Sequence, residues 1–300
     1  MELFNKVIGL LPRSWIKAAS RAQWRNPTFK RAFDWAAGQM RSHDGVVQQG
    51  IGKGLKFNTG RSNPGYMLGT SEPEVQEALA TLLRSGMTFY DIGANVGFYS
   101  VIGARLVGPA GRIIAFEPLP ENAERATHNA HLNSFTNFIV RQEALGREDG
   151  EGHFLVSEEP TWGTLENGIN SPSRPAGRIP VPVRQLDSIV ASGELPPPDV
   201  IKIDIEGGET SALEGSMETL LRFRPILMVE LHGTNAGVAG ILERANYATG
   251  CLGSRLSITE SPWNAYVVAV PIEKPELRPL LERLCRPSGE SISTTENLAH

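Results

Sequence analysis

The segment from Thr88 to Ser100 places the strongest limit on what this chain can fold into. Its sequence is TFYDIGANVGFYS, and the β-branched and aromatic residues at 88–92 predict a short buried strand. The small residues that follow predict a tight turn, and the apolar spacing of residues 98–107 predicts a helix. A strand, a glycine turn and a helix in this order predict an open α/β sheet that presents the turn to a ligand.

This turn differs from turns that bind phosphate. Asp91 ends the predicted strand, where its carboxylate would repel a second anion. Gly93 and Gly97 are separated by three residues, unlike the G-x-G-x-x-G of pyrophosphate sites. A nucleotide-dependent oxidoreductase would share the fold, but the chain lacks the glycines that such an enzyme needs. A carboxylate at this place suits a ligand with an ammonium group.

A second acid follows at the end of the next predicted strand, residues 112–117. Glu117 lies 26 residues after Asp91, about where such folds place the acid that bonds ribose hydroxyls. Two acids on neighbouring strand ends, with a glycine turn between them, describe a nucleoside site without a pyrophosphate. S-adenosylmethionine fits that description. The alternative is that these are ordinary turn residues and a solvated glutamate.

Residues 200–209, VIKIDIEGGE, form a second informative stretch. A period of two puts Lys202, Asp204 and Glu206 on one face of the predicted strand. Buried charges without partners are strongly disfavoured, so three ionisable groups on this face predict a site at the end of the sheet. The alternative is a structural ion pair between Lys202 and one acid.

Residues 225–232, PILMVELH, predict the next strand, in which Glu230 and His232 share a face. His232 is a candidate general base because it ends a core strand beside other charges. A structural histidine is the alternative. Asp204, Glu206 and Glu230 could instead bind a divalent cation that orients an acceptor oxygen. The residues alone leave base and metal open.

Five blocks occur in order along the chain: DIGANVGFYS, AFEPLPEN, EALG, IKIDIEGGE and PILMVELH. Together they resemble the FkbM family of S-adenosylmethionine-dependent methyltransferases, over roughly residues 54–270. The resemblance implies an α/β, Rossmann-like class I methyltransferase fold, with a seven-stranded, mostly parallel sheet flanked by helices. It also implies O-methylation of a hydroxyl on a sugar or natural-product-like small molecule. The alternative is a non-catalytic protein on the same fold that binds the cofactor or docks on a membrane.

With this resemblance, we expect one group of residues to hold the cofactor and another to act on the acceptor. Residues 138–141, FIVR, predict a further strand, and Glu143 and Ala144 follow it, where they would face the adenine; a plain loop is the alternative. The expected cofactor residues are Asp91, Gly93, Ala94, Asn95, Gly97, Glu117, Pro118, Glu143, Ala144 and Asp204. The expected catalytic residues are His232, as the first choice of base, Asp204 and Glu206 as the second, and Lys202.

Composition predicts one large domain with extensions. The chain has 300 residues, of which 40% are apolar and 21% charged. We expect a helical N-terminal extension over residues 1–53, the methyltransferase domain over 54–286 and a disordered tail over 287–300. The net charge of −4 argues against a nucleic-acid partner. Only two cysteines are present, far apart, which indicates a reducing compartment such as the cytoplasm.

The N-terminal extension is basic and amphipathic. Residues 1–41 hold eight lysines and arginines against two acids, and apolar residues recur at helical spacing. Pro12 and Pro27 divide the region into short helices. We favour packing on the domain or on a second subunit over contact with an anionic membrane surface. The sequence shows no apolar run of the ~18 residues that a membrane span requires and no convincing signal peptide.

Three local patterns add detail. The sequence SEPE at residues 71–74 predicts a helix capped by Ser71, with Pro73 in its first turn. Residues 179–183 alternate with prolines and predict an edge or irregular strand. The long polar stretch 158–177 predicts a loop, in which Trp162 either covers the site or anchors the loop.

Overall fold

A computed structural model describes residues 43–157, 163–166, 168–171 and 175–287 of the chain. The predicted amphipathic helices of residues 1–41, Trp162 and all but the first residue of the predicted tail lie outside these residues. None of the helices in the described ranges combines the length and the apolar character needed to cross a bilayer.

The strands and helices alternate along most of the described chain. The strands are β1 (Gly45–Val46), β2 (Lys56–Phe57), β3 (Thr88–Ile92), β4 (Arg112–Phe116), β5 (Phe138–Arg141), β6 (Ala144–Leu145), β7 (Gly150–Val156), β8 (Gly163–Leu165), β9 (Gly177–Arg184), β10 (Val200–Ile203), β11 (Ile226–Glu230), β12 (Tyr247–Cys251) and β13 (Tyr266–Pro271). The α-helices are α1 (Gly65–Leu68), α2 (Pro73–Leu82), α3 (Phe98–Val107), α4 (Pro120–Leu132), α5 (Leu186–Ala191), α6 (Glu209–Glu214), α7 (Met217–Phe223), α8 (Asn235–Arg244) and α9 (Arg278–Leu284). Single turns of 3-10 helix lie at Ile258–Glu260 and Pro275–Leu277.

Seven strands form the central sheet, in the order β12-β13-β11-β10-β3-β4-β5. The five strands from β11 to β5 are parallel, and β13 is antiparallel to both of its neighbours. Counted in chain order among themselves and taken from β5, these strands follow the arrangement 3-2-1-4-5-7-6. This confirms the predicted seven-stranded, mostly parallel sheet of a Rossmann-like class I methyltransferase.

Both faces of this sheet are buried. Neighbouring residues of β3 point to opposite faces, so Tyr90 packs in one apolar cluster with Leu213 of α6, and Phe89 packs in another with Leu79 of α2. All five residues of β3 are buried, as are all four of β10. Burial on two faces is why these strands read as nearly continuous apolar runs, and it makes their few charged residues conspicuous.

A smaller sheet of four strands, in the order β6-β9-β7-β8, follows the third parallel strand. Strand β9 lies between β6 and β7, but β6 pairs only with Val183 and Arg184. Pro180 and Pro182 therefore pair with β7 alone. The segment that carries these prolines is an edge, as predicted, because proline has no N–H to offer a second neighbour.

The predicted capping by Ser71 is wrong. Helix α2 begins at Pro73, and its N-cap is Glu72, which has φ of 41° and makes no side-chain cap. The hydroxyls of Tyr99 and Tyr266 donate hydrogen bonds to the Glu72 carboxylate. These tertiary bonds, which no local pattern specifies, fix the conformation at the start of the helix.

The described part of the predicted N-terminal extension belongs to a hairpin on the domain. Strands β1 and β2 pair antiparallel, and the expected boundary between residues 53 and 54 falls between them. Phe57 is fully buried and packs edge-on against Phe98 of α3, with ring centroids 5.5 Å apart. The hairpin therefore packs against the helix that follows the glycine turn.

Candidate active site

A cleft opens at the carboxyl ends of β3 and β10, where the strand order reverses. Ligands of open α/β sheets bind at such switch points. The cavity encloses about 960 Å³ of empty space, including its mouth. Ten of the predicted site residues line it: Gly93, Ala94, Asn95, Glu117, Pro118, Glu143, Ala144, Lys202, Asp204 and Glu206. Asp91, Gly97, Glu230 and His232 stand behind this lining rather than in it.

The glycine turn lets the ends of β3 and β10 approach closely. Gly93 has φ of +82°, and a Cβ atom there would lie 1.9 Å from the carbonyl oxygen of Asp204. Only glycine fits this position. The backbone N–H groups of Gly93 and Ala94 both donate to the carbonyl oxygen of Phe116, at 3.0 Å each. Since these donors are already used, they are not displayed for a phosphate, in agreement with the sequence.

Asp91 is buried, with 1% of its surface exposed. One carboxylate oxygen accepts a hydrogen bond from the hydroxyl of Ser100. The other oxygen, Oδ1, has no hydrogen-bond partner among the residues that the structure describes, and it lies 3.8 Å from Nζ of Lys202. Burial raises the pKa of Asp91, and the positive charge of Lys202 opposes this rise. A buried carboxylate oxygen without a donor is costly, so this atom is suited to a cationic donor from a ligand.

Glu117 ends the neighbouring strand and reaches the cavity. Its two oxygens accept hydrogen bonds from the backbone N–H groups of Asn95, at 2.8 Å, and Leu119, at 3.0 Å. Burial raises the pKa of Glu117 to about 7, although these bonds favour the ionised form. The side chain of Asn122 also hydrogen-bonds this carboxylate, which holds the group in place and leaves one of its four acceptor sites for a ligand hydroxyl.

The far end of the cavity is walled by the smaller sheet. Phe154 and Leu165 of this sheet line it beside Ala144. Glu143 also lines the cavity, but its carboxylate pairs with Arg141 and lies 3.7 Å from Nη1 of Arg184. The charge of Glu143 is therefore already matched, and apolar side chains remain to contact a flat ring. Nothing in the sequence pattern pointed to Phe154 or Leu165, which lie outside the five blocks.

Lys202 connects the two acid-bearing strands from the middle of the sheet. Its side chain is 1% exposed, and Nζ lies 2.9 Å from Oδ2 of Asp204. Burial disfavours its charge, but Asp204 and Asp91 outweigh burial and raise the pKa of Lys202. The structure thus shows the ion pair that the sequence offered as an alternative. A permanently charged Lys202 acts on the site through electrostatics and positioning, not as a base.

The predicted convergence of Lys202, Asp204 and Glu206 occurs, but alternation along a strand is not its cause. Strand β10 ends at Ile203, and Glu206 has φ of +54°. His232 likewise lies beyond the end of β11 and has φ of +43°. Two left-handed turns, rather than a strand face, bring these side chains together. Non-glycine residues in this conformation are uncommon and concentrate at functional sites.

His232 is the centre of the acceptor-side cluster, which consists of His232, Asp204, Glu206 and Glu230. Only 4% of His232 is exposed. Its Nε2 atom lies 3.4 Å from a carboxylate oxygen of Glu206, 3.5 Å from one of Glu230 and 3.9 Å from one of Asp204. Burial lowers the pKa of His232, but the hydrogen bond to Glu209 and the surrounding carboxylates outweigh burial and raise it to about 9.

Glu209, which the sequence analysis did not single out, orients this histidine. It is fully buried in the first turn of α6, and its Oε1 lies 3.0 Å from Nδ1 of His232. The same carboxylate accepts hydrogen bonds from the hydroxyl of Thr234 and the N–H of Gly207, at 3.0 Å each. Glu209 faces Nδ1 and three carboxylates of the cluster face Nε2, so both ring nitrogens lie beside acceptors, and this arrangement favours the protonated imidazole.

The acceptor-side cluster disfavours further negative charge. Burial raises the pKa of Glu206, and it raises that of Glu230 to about 8. One ligand atom each from Asp204, Glu230 and His232 lie within 4.8 Å of one another. This set shares two members with the predicted cation site, and His232 stands where the sequence suggested Glu206. Such an arrangement favours a positively charged group nearby.

Three further side chains border the cluster, those of Glu72, Trp263 and Tyr266, and the sequence analysis predicted no role in the site for any of them. The hydroxyl of Tyr266 lies 3.3 Å from a carboxylate oxygen of Asp204 and 3.3 Å from one of Glu72. The indole ring of Trp263 lies 6.1 Å from the imidazole of His232, measured between ring centroids. These residues come from segments far apart in the chain, and no spacing rule links them to the five blocks.

Residues 91–248, just over half of the chain, match the model of the methyltransferase FkbM domain. The chain belongs to the FkbM methyltransferase family. The match begins at Asp91 and includes Glu117, Glu209 and His232. The family resemblance read from the five sequence blocks is thereby confirmed.

Two curated relatives show how far the likeness extends. The hexuronic acid methyltransferase AglP of Haloferax volcanii is 31% identical over 161 residues, which are 54% of this chain and 62% of that protein. A protein-L-isoaspartate O-methyltransferase of Methanothrix thermoacetophila is 28% identical over 103 residues, 34% of this chain and 49% of that protein. The chain thus spans less than two thirds of the length of each.

Two solved structures superpose on part of this chain. A methyltransferase FkbM from Methylobacillus flagellatus superposes with a TM-score of 0.45 at 19% identity, covering 69% of this chain and 52% of that chain. A SAM-dependent O-methyltransferase from Thermotoga maritima gives a TM-score of 0.42 at 13% identity, covering 67% of this chain and 65% of that chain.

Proposed function

We propose that this protein transfers a methyl group from S-adenosylmethionine to a hydroxyl oxygen of a small, sugar-like molecule. Family membership supports methyl transfer, and the relative named a hexuronic acid methyltransferase supports a sugar acceptor. The observation that carries the oxygen acceptor is the Glu209–His232 pair beside Asp204 and Glu206, which line the cofactor cavity. A hydroxyl must lose its proton as the new bond forms, and this pair provides a base.

The cavity fits the cofactor at three places. Asp91 lies outside the lining, so its negative charge favours the cofactor ammonium group without lining the cavity, and Glu117, which lines it, is suited to the ribose hydroxyls. Ala144, Phe154 and Leu165 line the part of the cavity that would contact the adenine. When bound, S-adenosylmethionine supplies a methyl group on a positively charged sulfur.

On the acceptor side, the neutral form of His232 takes up the hydroxyl proton at Nε2. Because the surrounding carboxylates raise the pKa of His232 to about 9, this form becomes more abundant as the pH rises toward that value. Glu209 holds Nδ1 and stabilises the imidazolium that forms. Lys202 holds Asp204 at the boundary between cofactor and acceptor. Most of the rate enhancement then comes from alignment, because methyl transfer requires the acceptor oxygen to approach in line with the breaking bond.

A direct test measures transfer of isotope-labelled methyl groups to a panel of hexopyranosides and other hydroxylated small molecules. Incorporation that depends on S-adenosylmethionine, and that disappears in His232→Ala, supports the proposal. Transfer to amines or carboxylates, with no transfer to hydroxyls, would contradict an oxygen acceptor of this kind.

A divalent cation is a second role for the same cluster. The favouring observation is the group of Asp204, Glu230 and His232, with Glu209 behind the histidine as metal ligands usually have a second carboxylate. A cation there would bind the acceptor oxygen and lower its pKa. Turnover that survives a chelator, with no Mn²⁺ binding by paramagnetic resonance, excludes this role. Loss of turnover in chelator and recovery with Mg²⁺ or Mn²⁺ would instead assign it.

We further propose that the enzyme is cytoplasmic and that it acts on a small molecule and not on nucleic acid. For residues 1–41, packing on the domain or on a second subunit is the favoured expectation, and contact with an anionic membrane surface, based on their excess of basic residues, is the alternative. Sedimentation with anionic vesicles tests this alternative. Binding that is lost when residues 1–41 are removed supports the contact, and unchanged binding rejects it.

A further inference from the structure

Trp263 is an unusual surface residue because of where it lies. Trp263 is 60% exposed, although tryptophan is normally among the more buried residue types. The indole stands 6.1 Å from the ring of His232, tilted by 56°. A large apolar ring is therefore presented to solvent beside the base that the proposed function assigns.

The backbone around Trp263 is firmly attached to the turn that carries His232. The N–H of Gly233 donates to the carbonyl oxygen of Trp263 at 2.7 Å, and the N–H of Leu231 donates to that of Ala265 at 3.1 Å. The side-chain amide of Asn235 donates to the carbonyl oxygen of Ser261 at 3.1 Å. These bonds fix the backbone that carries Trp263 relative to the turn that carries His232, so the indole is held in the neighbourhood of the base.

The chemistry around His232 restricts what can lie on this indole. Carboxylates of Asp204, Glu206 and Glu230 lie within 3.9 Å of Nε2 of His232. Carboxylates accept hydrogen bonds from hydroxyl groups and repel other anions at this range. A ligand that covers the indole therefore needs hydroxyl groups toward the cluster, no negative charge there, and an apolar face toward the ring.

We infer that Trp263 binds the apolar C–H face of a neutral hexopyranose ring and thereby selects neutral sugars as acceptors. Ring faces of sugars carry polarised C–H bonds, which are attracted to the electron-rich face of an indole. The inference rests on the proposed function and narrows it, because the relative AglP is named for an acidic sugar. Trp263 also lies outside the matched domain, which ends at residue 248, so the feature is not part of the shared cofactor-binding region.

The test is ligand-observed saturation-transfer NMR on the full chain loaded with S-adenosylhomocysteine. The probes are methyl glucoside, galactoside and mannoside, compared with methyl glucuronoside, each in chelator and in Mg²⁺. The variants are Trp263→Ala, Trp263→Phe and, as a control, Leu256→Ala, since Leu256 is 47% exposed in the same connecting segment. Thermal unfolding of each variant checks that it is folded.

We expect at least one neutral glycoside to bind the wild type, and Trp263→Ala to weaken that binding roughly tenfold. Trp263→Phe should stay within about threefold of wild type, because it keeps an aromatic face. Leu256→Ala should match wild type, and the glucuronoside should bind about tenfold more weakly than the glycosides in both buffers.

Equal binding by Trp263→Ala and wild type would overturn the inference, as would tighter binding of the glucuronoside in either buffer. Binding of no glycoside by protein that binds S-adenosylhomocysteine would also overturn it, and would leave the cofactor assignment intact. Failure of the folded protein to bind S-adenosylhomocysteine would instead remove the proposed function itself.

Discussion

The two halves of the cleft are built in different ways. On the cofactor side, Asp91 and Glu117 end neighbouring strands, and their partners Ser100, Asn95 and Leu119 lie within the same strand-turn-helix region or next to it. On the acceptor side, His232 gathers carboxylates from two strand ends, with Asp204 and Glu206 beyond β10 and Glu230 at the end of β11. The cofactor half is thus built from neighbouring segments of the chain, and the acceptor half is built from side chains that are far apart in the sequence.

This difference separates what each half contributes. The cofactor side holds single acids at fixed places and leaves lone pairs for a ligand, so changes there should alter cofactor affinity. The acceptor side concentrates charge around one base, so changes there should alter turnover. Lys202 belongs to both, because it lies between Asp91 and Asp204. Substitutions that respect or violate this division test it.

The largest effect should come from removing the base. His232→Ala should lower kcat by about 10²- to 10⁴-fold, the usual contribution of general base catalysis, and leave S-adenosylmethionine affinity unchanged. Steady-state turnover and calorimetry measure the two quantities. His153→Ala is the matched control, since His153 lies on β7 with 42% of its side chain exposed. A parallel loss of cofactor affinity in His232→Ala would contradict the assignment of cofactor binding and turnover to separate halves of the cleft.

Removing the charge that joins the halves should weaken the fold itself. Lys202→Met leaves the buried carboxylates of Asp91 and Asp204 without their cation, and the free energy of unfolding should fall by about 3–5 kcal/mol. Urea unfolding measures this loss. The double variant Lys202→Met/Asp204→Asn should recover part of it, because one of the two carboxylates is gone. A single variant as stable as wild type contradicts the bridging role.

Glu209→Gln tests whether the missed carboxylate positions the base. Glutamine keeps the size of the side chain but not its charge, so kcat should fall about 10- to 100-fold while KM for the cofactor changes little. Glu214→Gln, at the other end of the same helix, is the control because Glu214 pairs with Arg147 away from His232. Equal turnover of both variants would show that His232 needs no orienting partner.

The smallest effect expected is a pH dependence of cofactor affinity. The pKa of Glu117 is raised to about 7 by burial, so the ionised carboxylate that accepts ribose hydroxyls is lost as pH falls through this value. Affinity for S-adenosylmethionine should therefore drop severalfold, up to roughly tenfold, between pH 8 and pH 6. Calorimetry at several pH values measures it. Glu117→Gln should flatten the dependence, and an unchanged slope would place its origin elsewhere.

The same contrast explains how much the sequence predicted. The glycine turn at Gly93 and the strands that lead to Asp91 and Glu117 follow from local patterns, since each depends on residues close together in the chain, and the seven-stranded, mostly parallel sheet follows from the family resemblance. Those predictions of the fold are confirmed. Helix α2 is a local exception, because the tyrosine hydroxyls from α3 and β13 hold Glu72 and displace the capping that Ser71 was expected to provide.

On the acceptor side, the sequence predicted which charged residues lie together, but it did not predict the backbone conformation that brings them together. Lys202 and Asp204 do form a buried ion pair, but Glu206 and His232 reach the cluster through left-handed turns that a period of two does not describe. Glu209, Tyr266 and Trp263 have their partners on other elements, so only tertiary structure reveals their roles. For Glu209, the one local signal is its place as the last residue of the IKIDIEGGE block.

The central claim is that this cleft binds S-adenosylmethionine through Asp91 and Glu117. Calorimetric titration of the purified full chain, with NAD as the control ligand, tests it most directly. We predict micromolar binding of S-adenosylmethionine alone, weakened at least about tenfold in Asp91→Asn and in Glu117→Gln. A folded protein that does not bind S-adenosylmethionine, or that binds it equally well in both variants, would contradict the account.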